Sequence, residues 1–166
     1  MELIASYTAT GSVANISFTS IAADWTDLIL KFSLRSSVTD SSDPYDLVLT
    51  LNATSTIASK VVRGNGQGAA SFNSITDRIL RAGAVPSNWT ANTFNNGEIY
   101  FPSYTSSNYK SWSSDAVTEN NATTADMSIA AGLTSITAAI TSITIAGLAG
   151  NLVEHSTAYL YGVSNA

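Results

Sequence analysis

The sequence predicts an all-β protein built as an antiparallel, jelly-roll-like β-sandwich. About ten short runs alternate apolar and polar residues, which is the pattern of strands with one buried face. Polar or glycine-containing turn signals separate these runs at intervals of roughly 8 to 15 residues. No helix–strand alternation indicates a parallel sheet. We expect residues 1–166 to form a single domain, because the chain shows no linker and no internal repeat.

The clearest strand of the first half is residues 26–35. Leucine or phenylalanine occupies every second position, and Lys31 and Arg35 lie among the intervening positions. One face of this strand is therefore predicted to be buried and the other wetter. Residues 21–25 are interpreted as a brief helical turn or corner, and the Trp25 side chain is expected to fill this corner. The strands predicted in this half are 3–7, 16–18, 26–35, 46–52 and 57–63.

The stretch after Arg63 is rich in glycine and contains Asn65. It lacks the lysine and the hydroxyl of a P-loop, so we interpret it as a mobile loop and expect Arg63 to pair with a local carboxylate. Residues 71–85 have a mixed spacing that fits a short helix or an irregular strand equally well.

The second half is organised around residues 96–133. Asn96-Gly97 is a turn signal, and three short runs with a period of two follow it. In the second run, Trp112 and Ala116 are in phase and are expected on the core side. The third run places four apolar residues on one face: Met127, Ile129, Ala131 and Leu133. The strands predicted in this half are 98–101, 109–118, 127–133, 137–146 and 157–163.

The composition favours a protein that contacts other proteins rather than nucleic acid. Charged residues make up 11% of the chain, against roughly 25% in a typical soluble domain. A low-charge surface tolerates close contact with copies of itself, because few charges need to be desolvated. The net charge of −5 argues against a nucleic-acid partner, which would favour a basic face.

The residues that catalysis uses are scarce. The chain has no cysteine and one histidine, His155, beside Glu154 in a polar loop. No nucleophile-elbow motif is present. Glu98 and Glu119 flank the central strands and are the only pair weighed for glycoside hydrolysis, which needs two carboxylates at a defined separation. We expect no enzymatic activity, no catalytic residues and no cofactor.

Three aspartates, Asp40, Asp43 and Asp46, recur at a spacing of three residues in one polar loop. Hard oxygen ligands of this type suit calcium, but the EF-hand pattern is missing and Asp-rich turns are common. We therefore assign no metal site, and calcium near these residues stays an open alternative.

Tyrosines in a polar loop are the best candidates for a contact surface. Tyr104 and Tyr109 bracket a loop that is expected to be exposed, and tyrosine combines an apolar ring with a polar tip. The loops around Asp43 and Asn65 complete the predicted contact residues. The N-terminus has no basic segment before an apolar one, so we expect no signal peptide, and no apolar run is long enough to cross a membrane.

Several segments in order resemble small virion structural proteins of tailed bacteriophages, common among aquatic and marine phages. The segments include FTSIAADWTDLILKFSLRS (18–36), LTLNATS (49–55), RGNGQGA (63–69), ANTFNNGEIYFPSY (91–104), KSWSSDAVTENN (110–121), AGLTSITAAITSITI (131–145) and TAYLYGV (157–163). Members of this group are known as virion structural, tail-fibre or head-decoration proteins.

The resemblance implies a particle-surface β domain that is assembled onto the virion in the bacterial cytoplasm. The leading hypothesis is a capsid decoration (cement) protein that binds the head exterior as a homo-oligomer, expected to be a trimer. Its partners would be copies of itself and the major capsid protein or other virion proteins. The alternative is a tail-fibre or receptor-binding tip module that recognises a host surface glycan. The resemblance carries over no functional residues.

Overall fold

The computed structural model describes residues 1–39, 46–54, 57–74, 78–79, 85–118 and 125–164. Throughout these residues the secondary structure is all-β, without a helix. The strands are β1 (Glu2–Thr8), β2 (Ile16–Phe18), β3 (Asp27–Ser33), β4 (Leu47–Leu51), β5 (Ile57–Gly64), β6 (Ala69–Ser74), β7 (Arg78–Ile79), β8 (Asn96–Phe101), β9 (Lys110–Thr118), β10 (Asp126–Thr134), β11 (Ile143–Gly147) and β12 (Thr157–Val163).

The strands form two antiparallel sheets of unequal size. The larger sheet has the order β1-β12-β3-β8-β9-β10-β5-β6, and the smaller has the order β2-β11-β4-β7. The chain crosses between the sheets repeatedly, so that neighbours in sequence often lie in different layers. The prediction of an all-β antiparallel sandwich is confirmed.

One apolar core joins the two sheets. It is built from alternate residues of β3, β4, β9, β11 and β12, whose intervening residues are more exposed. Alternation of this kind buries one face of each strand. The largest fully buried apolar side chains include Tyr104, Phe101, Ile16, Leu28, Leu30, Leu34, Leu47, Leu49, Leu51 and Ile57.

Aromatic rings lie directly over glycines at three places in the larger sheet. The ring of Phe32 covers Gly97, its cross-strand partner, and the ring of Trp112 covers its own partner Gly132. Trp25 covers Gly162 in the same way. A Cβ atom at any of these glycines would overlap the ring, so the missing side chain is what lets the ring lie flat on the sheet.

Two cations are buried and bound by backbone carbonyl groups. The Arg35 guanidinium donates to the carbonyl oxygens of Ser87, Trp89, Thr90 and Thr93 at 2.8–3.1 Å. Burial lowers the pKa of Arg35 below its usual range. The prediction that Arg35 lies on the wetter face is wrong, because the segment that follows Val85 folds over it.

Lys110 is the second buried cation, and it binds carbonyl groups from two loops. Its Nζ donates to the carbonyl oxygens of Ser106 and Asn108 at 2.6 Å, and to those of Ile136 and Thr137 at 3.4 Å. Burial lowers the pKa of Lys110. The loop after β8 and the loop after β10 are thus joined through one ammonium group.

Of the two alternatives for residues 71–85, the described residues fit the irregular strand, since β6 and β7 lie there. The glycine-rich stretch that was interpreted as a mobile loop is a four-residue turn, residues 65–68, and β6 begins directly after it. Residues 21–25 form a corner without a helical turn, in which Trp25 packs against the core. The predicted ion pair of Arg63 is confirmed, since its Nε donates to the carboxylate of Asp126.

Candidate contact surface

The outer face of the larger sheet divides into a polar half and an aliphatic half. On β12, β3 and β8 the outward side chains include tyrosines and the ion pair between Lys31 and Glu98, whose atoms lie 2.6 Å apart. This hydrogen-bonded pair raises the pKa of Lys31. In the other half the outward side chains of β10 are aliphatic, and β9 and β5 add Val117 and Val62 among serines, an aspartate and a lysine.

We call this aliphatic half the aliphatic patch. Ile129 of β10 lies opposite Val62 of β5, and its neighbour Met127 lies opposite Val117 of β9. Leu133 extends the patch along β10. These five side chains are between 46% and 62% exposed. Large aliphatic side chains that adjoin one another on a surface are typical of protein interaction sites, whereas isolated ones are common everywhere.

The patch arises because β10 buries its small and polar residues and exposes its large aliphatic residues. Its inward positions include Asp126, Ser128 and Thr134, which are buried, while its bulky aliphatic residues point to solvent. The predicted sharing of one face by Met127, Ile129, Ala131 and Leu133 is confirmed, and that face is the outer one. Small inward residues leave room for large neighbours such as Trp112.

Charged residues are few around the patch. Asp115 lies beside Ile129 on β9, and Lys60 lies beside Ala131 on β5. A contact made through this surface would therefore desolvate mainly apolar groups, which is favourable. Shallow depressions flank Met127 on both sides, lined by Gly64, Val117 and Ile129 on one side and by Val62 and Ala69 on the other.

Tyr104 is not part of any surface, and the prediction that it is exposed is wrong. Its side chain is 0% exposed and lies in the core. Its hydroxyl donates to the carbonyl oxygen of Ala22 and accepts from the backbone N–H of Trp25. Burial raises the pKa of Tyr104. Tyr104 thus fixes the corner before β3 and cannot contact a partner.

The other predicted contact residues have different positions. Tyr109 is 58% exposed and directly precedes β9. The side-chain oxygen Oδ1 of Asn65 accepts from the backbone N–H groups of Gln67 and Gly68 at 3.1 Å, so this side chain shapes the turn between β5 and β6. Asp43 lies outside the described residues. The structure does not bring Tyr109 and Asn65 together.

Three of the residues considered for catalysis and metal binding, Glu119, Asp40 and Asp43, lie outside the described residues. Glu98 pairs with Lys31. Among the residues that the structure describes, no three histidine, aspartate or glutamate side chains cluster as metal ligands would. His155 occupies an exposed turn with a φ of 71°, and its backbone N–H donates to the carbonyl oxygen of Ala9.

A buried carboxylate joins β3 to the loop after β8. Asp27 accepts a hydrogen bond from the hydroxyl of Tyr100 and another from the backbone N–H of Ser103, both at 2.7 Å. The bond to Asp27 is the largest cause that raises the pKa of Tyr100 above its ordinary value of 10.0, and burial adds to it.

Replacing Tyr100 with phenylalanine is expected to lower the free energy of unfolding at pH 7 by about 1–2 kcal/mol, because Asp27 loses a donor. The raised pKa of Tyr100 stabilises the fold below the ordinary pKa of the phenol, and this stabilisation is lost as the pH rises through the folded-state pKa. Urea unfolding at pH 7 and above pH 10 checks both parts. A variant that loses as much stability at high pH as at neutral pH would contradict this explanation.

Comparison with protein-family models, curated proteins and solved structures finds no match to this chain. Within the described ranges no helix is long and apolar enough to cross a membrane. The aliphatic patch was not identified from the sequence as a contact site, although the alternation that produces it was.

Proposed function

We propose that this protein is a structural protein of a bacteriophage virion surface, a capsid decoration protein that binds the head exterior as a homo-oligomer. The observation that carries the proposal is the aliphatic patch. Four adjoining large aliphatic side chains, with Leu133 further along β10, lie on the outside of the larger sheet, where the described residues offer them no cover. A surface of this kind is stable in water when another protein covers it.

The proposed action is mechanical. An apolar face binds by burying its side chains, and symmetry repeats the same modest contact over many copies on a particle. The low charge of the chain supports this, because close packing against copies of itself and against the major capsid protein or other virion proteins desolvates few charges. The ordered sequence resemblance to virion structural proteins supports the location.

A second candidate is a tail-fibre or receptor-binding tip module that binds a host surface glycan. The exposed ring of Tyr109 favours it, since sugars stack on exposed aromatic rings. A glycan-array signal that disappears in Tyr109→Ala would support this candidate. A signal that survives in this variant would argue against a role for Tyr109.

The location is tested by gold-labelled antibody on intact particles. Label over the head supports the decoration proposal. Label confined to the tail end overturns it in favour of the tip module, and particles without label overturn both.

The role of the patch is tested with Ile129→Lys and Val62→Lys. Each is expected to reduce binding to particles that lack the protein by about tenfold or more, because a lysine would be desolvated in the contact. Co-sedimentation with such particles is the measurement. Tyr159→Lys, on the polar half of the same face, is the matched control and is expected to bind normally. Equal loss in all three variants would contradict a specific role for the patch.

A further inference from the structure

Strand β6 is the outermost strand of the larger sheet, and no strand of the described residues pairs with its outer edge. Its sequence AASFNS contains no charged residue and no proline. Its pairing with β5 runs without a register shift from Gly64 opposite Ala69 to Ser59 opposite Ser74. Natural edge strands are usually protected by charges, proline or a bulge, because an unprotected edge pairs with other strands. Strand β6 has none of these protections.

The turn between β5 and β6 determines which backbone groups of β6 point away from β5. The N–H of Asn65 donates to the carbonyl oxygen of Gly68, so residues 65 and 68 are a hydrogen-bonded pair. Bonded and non-bonded pairs alternate along an antiparallel ladder. The amide and carbonyl groups of Ala69, Ser71 and Asn73 therefore point away from β5. These three residues are exposed, and their backbones have no other partner in the described parts of the chain.

The opposite edge of the same sheet is protected. Strand β1 carries Glu2, and its register with β12 shifts between Leu3 and Ala5. A bulge twists an edge and interrupts the row of groups that a second strand would use. The two edges thus differ in the features that control pairing between molecules.

We propose that β6 pairs with β6 of a second copy of this chain, antiparallel and across a two-fold axis at Ser71. Ser71 then lies opposite its own copy, and Ala69 lies opposite Asn73 of the other copy. Each of these pairs exchanges two backbone hydrogen bonds, which satisfies every outward group of the three residues. The two larger sheets become one continuous sheet.

The charge pattern favours a second copy as the occupant. A two-fold axis brings each side chain near the centre of the strand close to its own equivalent, so a charge there would repel itself. Strand β6 has no charge to repel. A strand of only six residues buries less area than a standard stable interface, so the dimer is expected to form in the micromolar range.

The inference deepens the proposed function. An axis that relates two adjacent antiparallel strands is perpendicular to the sheet, so both aliphatic patches lie on the same side of the dimer. That consequence rests on the proposed function, whereas the pairing itself does not. Pairing at one edge closes with two copies, and it therefore replaces the trimer expected from the resemblance.

Sedimentation equilibrium of the purified full chain tests the pairing. The wild-type mass is expected to rise from 17.3 kDa toward twice that value between about 10 and 500 µM. Ser71→Lys is expected to stay monomeric, because two lysines would meet at the axis, and its unfolding curve at low concentration is expected to match the wild type. Ser71→Pro, which removes an outward N–H, is expected to stay monomeric too.

Ser6→Lys is the matched control, since it makes the same substitution at an exposed position of β1 on the opposite edge. It is expected to dimerise like the wild type. A trimeric mass, a monomer at every concentration, or dissociation by Ser6→Lys as strong as by Ser71→Lys would each overturn the proposal. Because no virion is used, this outcome is separate from that of the antibody labelling.

Discussion

Replacing Gly132 with alanine is expected to destabilise the protein by about 3 kcal/mol. Gly132 lies opposite Trp112, whose indole ring rests on the glycine and is buried. A Cβ at this position would overlap both the ring and the carbonyl oxygen of Ala58. Neither neighbour can move easily, since the ring is packed in the core and the carbonyl belongs to β5. Urea unfolding followed by tryptophan fluorescence measures the loss.

Gly11→Ala is the control for this substitution, because nothing lies within 4 Å of a Cβ built at Gly11. Its stability is expected to stay within about 0.5 kcal/mol of the wild type. A loss at Gly11 equal to that at Gly132 would mean that the contact with Trp112 is not the cause.

Replacing Arg35 with methionine is expected to cost about 4 kcal/mol. Methionine preserves much of the aliphatic stem but has no donors, so the carbonyl groups of Ser87, Trp89, Thr90 and Thr93 lose their common partner. These carbonyl groups are partly buried, and the loss of a charged donor that serves four of them at once is costly. Chemical denaturation gives the change in the free energy of unfolding.

Arg35→Lys provides a graded comparison. A lysine keeps the positive charge but lacks the planar arrangement of five donors, so we expect an intermediate loss. Lys31→Met is the exposed control, and the loss of its surface ion pair with Glu98 is expected to cost less than about 1 kcal/mol. If Arg35→Lys were as stable as the wild type, charge rather than the pattern of donors would explain the effect.

The sequence predicted strands well where burial and period agree. Residues 28–34 and 110–118 alternate strongly, and the structure buries the expected face of each. Alternation alone does not show which face of a strand is buried when one face is aliphatic and the other is small enough to pack beneath a large neighbour. In β10 the small and polar face is inward, because the space beneath it is shared with Trp112, a residue of the neighbouring strand.

Other features depended on contacts between distant parts of the chain. Arg35 follows a strand whose alternation points it outward, but residues near Thr90 supply the carbonyl groups that surround it. Tyr104 follows a proline-containing turn and was expected to be exposed, yet it reaches back to Ala22, more than 80 residues earlier. Strand β6 was anticipated only as the irregular-strand alternative for residues 71–85, because alanine, serine and asparagine are also the residues of loops.

The exposure of the large aliphatic residues of β10 also affects the register in which β10 pairs with its neighbours. A shift of one residue reverses the two faces of a strand, and in most strands burial penalises that shift. In β10 the same shift would bury Met127, Ile129 and Leu133, so hydrophobicity favours the wrong alignment. The observed alignment has two contacts that the shift would remove: the glycine beneath Trp112 and the ion pair between Arg63 and Asp126. These contacts therefore favour the observed pairing of β10 over the shifted one.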